Sequence, residues 1–387
     1  MDTTLPARAL LPAGLHDLLS PDAEREAGLV ERAMTVFRAH GYERVKPPLV
    51  EFEDSLLSGV GKAWSRQTFR LLDPESQQMM GVRADMTLQV ARLATSRLAN
   101  SPRPLRLCYA GEVLRVGGDH LDPERQLRQI GCELIGSLDP ASDAEIILIA
   151  ARALQRLGVP GLSIDLNLPT IVPAIFAAHG IESEDEQRLS NALSHRDASV
   201  AGAHPVIGKL LAALLAVSGP ADRALEKLKT IELPATAESS RRRLMETVRL
   251  VHEAEPQLKL TIDPIERQGF EYQTGLSFTV FARGARRELG RGGRYRIGNQ
   301  WGDTPTGEPA VGFSLFANAI LPAAPADAAP RRVYLAVGVK PAEAAKLRAA
   351  GWITVAGLQA ADDLGVEARR LGCHYVMQAD SGEPQPL

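Results

Sequence analysis

A chain of 387 residues is long enough for two or three domains around a large core, and its 45% hydrophobic and 24% charged content is that of an ordinary globular protein. The net charge of −3, without any long block of Lys or Arg, argues against an extended basic tail that would grip nucleic acid by its phosphates. No apolar run reaches the ~18 residues of a membrane-spanning helix, no signal peptide is read in residues 1–15, and Cys108, Cys132 and Cys373 form no C-x-x-C pair. Neither a zinc site nor a disulfide framework is therefore expected, and a reducing cytoplasm fits.

The first element expected is a helix over residues 23–40, with Ser20 as N-cap, Pro21 in the first turn and Gly41 past the end. Residues 44–52 read as extended, and Pro47-Pro48 place that segment at an edge or interface, because proline cannot donate to a central ladder. Strands are expected over 68–72 and 78–82 around an Asp73-Pro74-Glu75-Ser76 turn, then a short amphipathic helix over 87–98. Strands over 105–114 and 126–135 flank a polar loop, Gly117-Gly118-Asp119-His120, and a helix over 141–157 ends at Gly158. Composition then shifts to Ala, Leu, Glu and Arg at helical spacing. Leu210, Leu211, Leu214 and Leu215 form one face, giving an inserted module of four or five helices with no strand over 170–256. Strand signals return at 259–262, 276–282 and 287–289. A run of small residues and prolines over 322–330 reads as a linker, followed by a strand–helix–strand–helix–strand unit over 331–387.

Several segments could carry chemistry. In Val82-Arg83-Ala84-Asp85-Met86-Thr87 a carboxylate and a hydroxyl offer acceptors to an ammonium; the same acid just before a helix also reads as a plain N-cap. In Arg125-Gln126-Leu127-Arg128-Gln129-Ile130-Gly131-Cys132-Glu133 the two-residue period puts Gln129, Gly131 and Glu133 on one face. The glycine between two polar groups leaves room for a ligand over the sheet, and Glu133 could accept a hydrogen bond from an imidazole N–H. Arg115 closes the strand Arg106-Leu107-Cys108-Tyr109-Ala110-Gly111-Glu112-Val113-Leu114-Arg115, where a planar guanidinium suits an oxyanion. Glu266-Arg267-Gln268-Gly269-Phe270-Glu271-Tyr272-Gln273-Thr274-Gly275 and Gly290-Arg291-Gly292-Gly293-Arg294-Tyr295 follow about twenty residues apart. The second reads alone as an ordinary glycine-rich hairpin. His16, His40, His120 and His252 read as surface residues, and Arg241-Arg242-Arg243 as a solvated or partner face.

Taken in order, these segments resemble the motifs of class II histidyl-tRNA synthetases: L-R-P-E-G-T, the motif 2 strand, R-Q-F-H-Q-x-G-x-E, R-G-L-D-Y-Y-T-G with G-G-G-R-Y-D, and motif 3, P-A-V-G-F-A-x-G-x-E-R, at Pro309-Ala310-Val311-Gly312-Phe313-Ser314. The resemblance spans roughly residues 11–321. It implies an α+β fold: a class II synthetase-like antiparallel sheet with flanking helices, carried by 1–169 and 257–321, plus the helical module and the small C-terminal α/β unit. It also implies a histidine pocket of Asp85, Thr87, Arg115, Gln129, Glu133, Tyr272 and Tyr295.

The departures are as telling as the matches. Aligned on Gly269 and Thr274-Gly275, the catalytic Arg is Gln268, a weaker stabiliser of developing negative charge. The second Tyr of that motif is Gln273, and the Asp after Tyr295 is Arg296. The motif 2 Glu that helps hold adenine is Gly117, and in motif 3 the Gly is Phe316 and the Arg that would reach a γ-phosphate is Ala319. These losses argue together against adenylation. The same pattern resembles the synthetase paralogues that serve as regulatory subunits of ATP phosphoribosyltransferase. That resemblance implies a non-catalytic protein without cofactor or metal that joins a short catalytic subunit, activates it and permits histidine feedback. It further implies a homodimer, through the region near 44–52, within a hetero-octamer. A histidine-adenylating ligase and a pseudo-synthetase RNA sensor remain the alternatives, with tRNA binding disfavoured by the charge.

Overall fold

The computed structural model describes residues 10–57, 64–118, 123–266, 273–298, 307–326, 329–379 and 381–387. The chain divides into two compact units, one ending at Pro325 and one starting at Ala326. The first opens with α1 (Asp22–Ala39), β1 (Glu43–Arg44), β2 (Val50–Phe52), the single turn α2 (Glu53–Leu56), β3 (Arg70–Leu72), β4 (Met79–Val82) and α3 (Thr87–Thr95). It continues through β5 (Leu105–Leu114), β6 (Gln126–Ile135), α4 (Pro140–Arg156) and β7 (Leu162–Asn167). Ser20 does not cap α1. Pro21 takes that position without a side-chain hydrogen bond, and Asp22 and Glu24 sit in the first turn, where negative charge suits the helix dipole.

The segment expected to be purely helical holds α5 (Ile171–His179), α6 (Ser183–Ser194), α7 (Ala198–Gly202), α8 (Gly208–Leu215), β8 (Gly219–Pro220), α9 (Ala221–Lys229) and α10 (Ala235–Ala254). It thus has six helices rather than four or five, and it includes a strand. β8 pairs antiparallel with the next strand, a two-residue contact too short to leave a periodic signal. Leu211 and Leu214 are buried while Leu210 and Leu215 only pack against the core. The unit closes with β9 (Lys259–Asp263), β10 (Ser277–Ala282), β11 (Gly290–Ile297), β12 (Glu308–Phe316) and α11 (Ala317–Ile320). The glycine-rich segment is therefore the interior of β11, not a hairpin, and the strand expected at 287–289 begins only at Gly290.

These strands form one nine-stranded sheet in the order β1-β5-β6-β12-β11-β10-β7-β9-β8. Its neighbours are antiparallel except β1 with β5 and β7 with β9. One face is apolar. Ile130, Cys132 and Leu134 of β6, Val311, Phe313 and Leu315 of β12, and Ile164 and Leu166 of β7 join the buried stripes of α1 and α4 in a single core. On α1 that stripe is Leu29, Val30, Ala33, Met34 and Phe37, the spacing of one helical face. Phe37 meets Phe313 edge-on with centroids 5.6 Å apart.

The second face of the sheet carries polar residues and glycine, and it is there that a ligand could lie. A separate three-stranded sheet, β2-β4-β3, has β2 at its edge, as the prolines require. Arg83 ties it down: its Nη1 donates to the carbonyl of Pro47 at 3.0 Å and its Nε to that of Glu112 at 2.6 Å.

The C-terminal unit comprises β13 (Arg332–Leu335), α12 (Pro341–Ala349), β14 (Ile353–Ala356), α13 (Leu364–Arg370), β15 (Tyr375–Met377) and β16 (Gln385–Pro386). β13 lies between parallel β14 and β15, with β16 antiparallel at the edge. α13 starts at Leu364, where the Asp363 side chain accepts from Val366 N and caps it. No helix among the described residues is long and apolar enough to cross a membrane.

Candidate functional site

The strand register assembles the polar face. Glu133 of β6 stands opposite Gly312 of β12, and Gly131 opposite Ser314. Gly293 of β11 stands opposite Gly312, and Tyr295 opposite Ala310. Tyr109 of β5 stands opposite Gly131. Because alternate residues share a face, these side chains surround a floor of glycine. A Cβ on Gly312 would lie 1.7 Å from Glu133 Oε2, and one on Gly131 would lie 2.5 Å from the Tyr109 hydroxyl. The glycines are where the backbone must stay bare for the buried polar groups to fit.

Above that floor is a cavity of about 420 Å³ whose lining includes Asp85, Thr87, Arg115, Glu133, Tyr295 and Ser314. Gln129 lies directly beneath, fully buried. Its amide holds the wall together: Nε2 donates to Asp85 Oδ2 at 3.1 Å and to Ser314 Oγ at 2.6 Å, while Oε1 accepts from Met86 N at 2.9 Å. Asp85 also accepts from Thr87 N at 2.8 Å while bordering the cavity; the N-cap of α3 is Met86, one residue on, without a side-chain cap bond. The carboxyl of Glu133 accepts from the Tyr295 hydroxyl at 2.7 Å and the Tyr109 hydroxyl at 3.0 Å. The Tyr109 hydroxyl also lies 3.1 Å from Thr87 Oγ1.

Burial dominates the electrostatics. It pushes the Glu133 carboxyl up to about 8, against the lowering effect of the two tyrosine hydroxyls and with Asp85 adding to the rise. Burial likewise raises Asp85, opposed chiefly by the Arg115 guanidinium. Two acids buried in one wall, each raised by burial, cannot both ionise freely.

Arg115 also lines the cavity, close enough to Asp85 to be the strongest charge acting on it. Its guanidinium lies 4.9 Å from the centroid of the Trp64 ring and 5.2 Å from that of Phe316. Such stacking holds the guanidinium in place beside the cavity. Gly117 lies nearby in an exposed turn, with its N–H donating to Gln67 Oε1 at 3.2 Å. Ala319 is buried in α11 among core residues. No cation stands at that position, and Phe316 covers Arg115 beside it.

The structure thus brings Asp85, Thr87, Arg115, Gln129, Glu133 and Tyr295 around one cavity, while Gln268 and Tyr272 lie outside the described residues. Sequence reading had not placed Tyr109, Ser314 or Trp64 in the site. The first two could have been found by carrying the two-residue period across paired strands; Trp64 left no such signal. Gln273, read as the loss of a tyrosine, lines the cavity, and its amide oxygen is buried with no partner among the described residues, as a ligand-facing acceptor would be. The arginine run is a solvated face only at Arg242, which is exposed. Arg241 donates to the carbonyls of Leu228 and Ile231, and Arg243 donates to Asp143 Oδ2 at 2.7 Å. His40 is half-buried, with Nδ1 2.8 Å from the Val36 carbonyl oxygen.

The nine-stranded mixed sheet with its flanking helices, and a glycine-floored cavity bordered by buried acids and a stacked arginine, define a core of the class II synthetase type. The histidyl-tRNA synthetase family model matches residues 14–320. The chain is 55% identical to the ATP phosphoribosyltransferase regulatory subunit of Rhodospirillum centenum over 97% of its own length and 96% of the relative's. It is 54% identical to the protein of the same name from Paramagnetospirillum magneticum over 96% and 97%. A solved Bacillus halodurans structure, described as an ATP phosphoribosyltransferase regulatory subunit/histidyl-tRNA synthetase, superposes with a TM-score of 0.80 at 20% identity, covering 97% of this chain and 98% of that one. The chain belongs to the family of ATP phosphoribosyltransferase regulatory subunits, within the histidyl-tRNA synthetase family.

Proposed function

We propose that this chain is the regulatory subunit of an ATP phosphoribosyltransferase: it binds a short catalytic subunit, supports the first step of histidine biosynthesis and lets histidine restrain it. The relatives' shared name, over nearly their whole length, supports the role. The observation that carries the loss of adenylation is the Phe316 ring stacked on Arg115. One face of the arginine that could bridge carboxylate and phosphate is covered at the place where the synthetase motif has glycine, and a bulky aromatic there denies a nucleotide close approach to the backbone.

In this reading the pocket holds histidine. Asp85 and Thr87 accept from the α-ammonium, Arg115 takes the carboxylate, and Glu133, poised by Tyr109 and Tyr295, meets the imidazole. A carboxyl near 8 and an imidazole near its ordinary ~6.5 are close enough to share a proton in either direction. Feedback requires that histidine favour one of two states of the assembly. The protein acts as a homodimer within a hetero-octamer. The dimer contact is the three-stranded sheet, whose Phe52, Leu71, Leu72 and Met79 are exposed together with Leu49 just before β2, a set that a lone protomer would leave in water.

Calorimetry with histidine, on the chain alone and with its catalytic partner, tests the pocket. Binding to the chain alone is expected, and heat only in the presence of the partner would move the histidine site to a subunit interface. ATP–pyrophosphate exchange with histidine tests the lost adenylation: robust exchange would restore the ligase reading.

A further inference from the structure

A second cavity, of about 220 Å³, opens behind the first, between α10 and the strand pair β11–β12. Its polar lining is Ser239, Ser240, Arg243, Thr274, Arg294 and Arg296, and Tyr295 borders both cavities. No carboxylate lines it among the described residues. Among the described residues, Glu308 and Glu238 next to the lining are paired elsewhere, with Arg103 and Arg241. The acid held by the lining arginines is Asp143 of α4, buried and shared by two of them: Oδ1 accepts from Arg294 Nε at 2.9 Å and Oδ2 from Arg243 Nη1 at 2.7 Å. Arg294 is further anchored by the Ser137 carbonyl at 2.7 Å and the Ser142 hydroxyl at 2.8 Å.

Arg296 adds a third guanidinium, with Nη1 donating to the Gly307 carbonyl at 2.8 Å. Three arginines therefore line the site and two of them share one carboxylate, an excess of two positive charges. A guanidinium carries five donors, and the bonds among the described residues use one on Arg296 and two on Arg243. The hydroxyls of Ser240 and Thr274 stand on the same lining, whereas that of Ser239 is turned to the Thr236 carbonyl at 2.8 Å.

We propose that this cavity is an oxyanion site that takes a phosphate or pyrophosphate group. The charge excess matches a doubly charged tetrahedral anion better than a singly charged planar carboxylate, and arginine forks with hydroxyls are the donors such a group takes. The volume is below the ~300 Å³ at which pockets begin to enclose drug-sized ligands, so the cavity receives the anionic group and not a whole nucleotide. This site stands apart from the histidine reading, because its donors lie on α10 and on the α4-facing side of β11.

The test is calorimetry on the full chain with inorganic phosphate, pyrophosphate and acetate, each against chloride at matched ionic strength. Saturable binding of phosphate or pyrophosphate is expected, weakened about tenfold or more by Arg296→Gln, as the loss of one charge-assisted bond implies. Ser240→Ala should weaken it less, and Arg370→Gln in the C-terminal unit not at all. Circular dichroism of each variant confirms that it folds. Absence of saturable binding, equal binding of acetate, or affinity unchanged in both Arg296→Gln and Ser240→Ala would overturn the assignment.

Discussion

Glu133→Gln should flatten the dependence of stability on pH. The substitution keeps shape and most hydrogen bonding, since the amide oxygen still accepts from one tyrosine hydroxyl and the amide nitrogen can donate to the other. It removes a proton equilibrium that folding shifts from 4.5 to about 8. Because the folded-state value lies above the unfolded one, the stabilisation from holding the proton is complete below about pH 4.5 and is lost as pH rises through about 8. At ~1.4 kcal/mol per pH decade, the wild-type chain should lose about 2–3 kcal/mol relative to the variant between about pH 6 and pH 8. Asp85, Tyr109, Tyr295 and Arg115 remain in place in both proteins and cancel to first order. Urea unfolding of the two proteins at several pH values gives the difference directly. Parallel curves would show that Glu133 is ionised in the folded protein and that its wall is wetter than the structure describes.

Gly312→Ala should cost about 1–3 kcal/mol, the usual penalty of overpacking, because the new methyl would sit 1.7 Å from Glu133 Oε2; thermal unfolding and histidine calorimetry should both register it. Asp143→Ala leaves two arginines without their shared, nearly inaccessible carboxylate and should destabilise by roughly 3–5 kcal/mol, measured by urea unfolding. Asp85→Asn should weaken histidine binding while leaving the fold intact by circular dichroism, since its amide still accepts from Thr87 N. Phe316→Gly should uncover Arg115 yet leave ATP–pyrophosphate exchange absent, because Ala319 still provides no cation.

The parts of the site that lie along one strand were legible in the sequence. Gln129, Gly131 and Glu133 share a face by the two-residue period alone, and Arg115 stands where its strand ends. What joins different strands was not. Tyr109 and Ser314 reach Glu133 and Gln129 only through the β5–β6 and β6–β12 registers. The pairing of Arg243 with Asp143 spans 100 residues, so the arginine run looked like a solvated stripe. The Gly290–Gly293 segment misled for a physical reason: glycine ordinarily weakens strands, yet here bare backbone is what a ligand floor needs. The helical character of residues 170–256 was legible because amphipathic spacing is a local signal, but the number of helices was not, and β8 was missed because two residues carry no period.

The central claim is that this chain regulates a phosphoribosyl transfer it does not perform. The direct measurement is the rate of phosphoribosyl transfer to ATP by a short catalytic subunit from the same source, with increasing amounts of this chain and then with histidine. The account predicts no transfer by this chain alone, a saturable rise in rate on mixing, and a fall when histidine is added. A rate unaffected by this chain at concentrations where the two proteins coexist would contradict it.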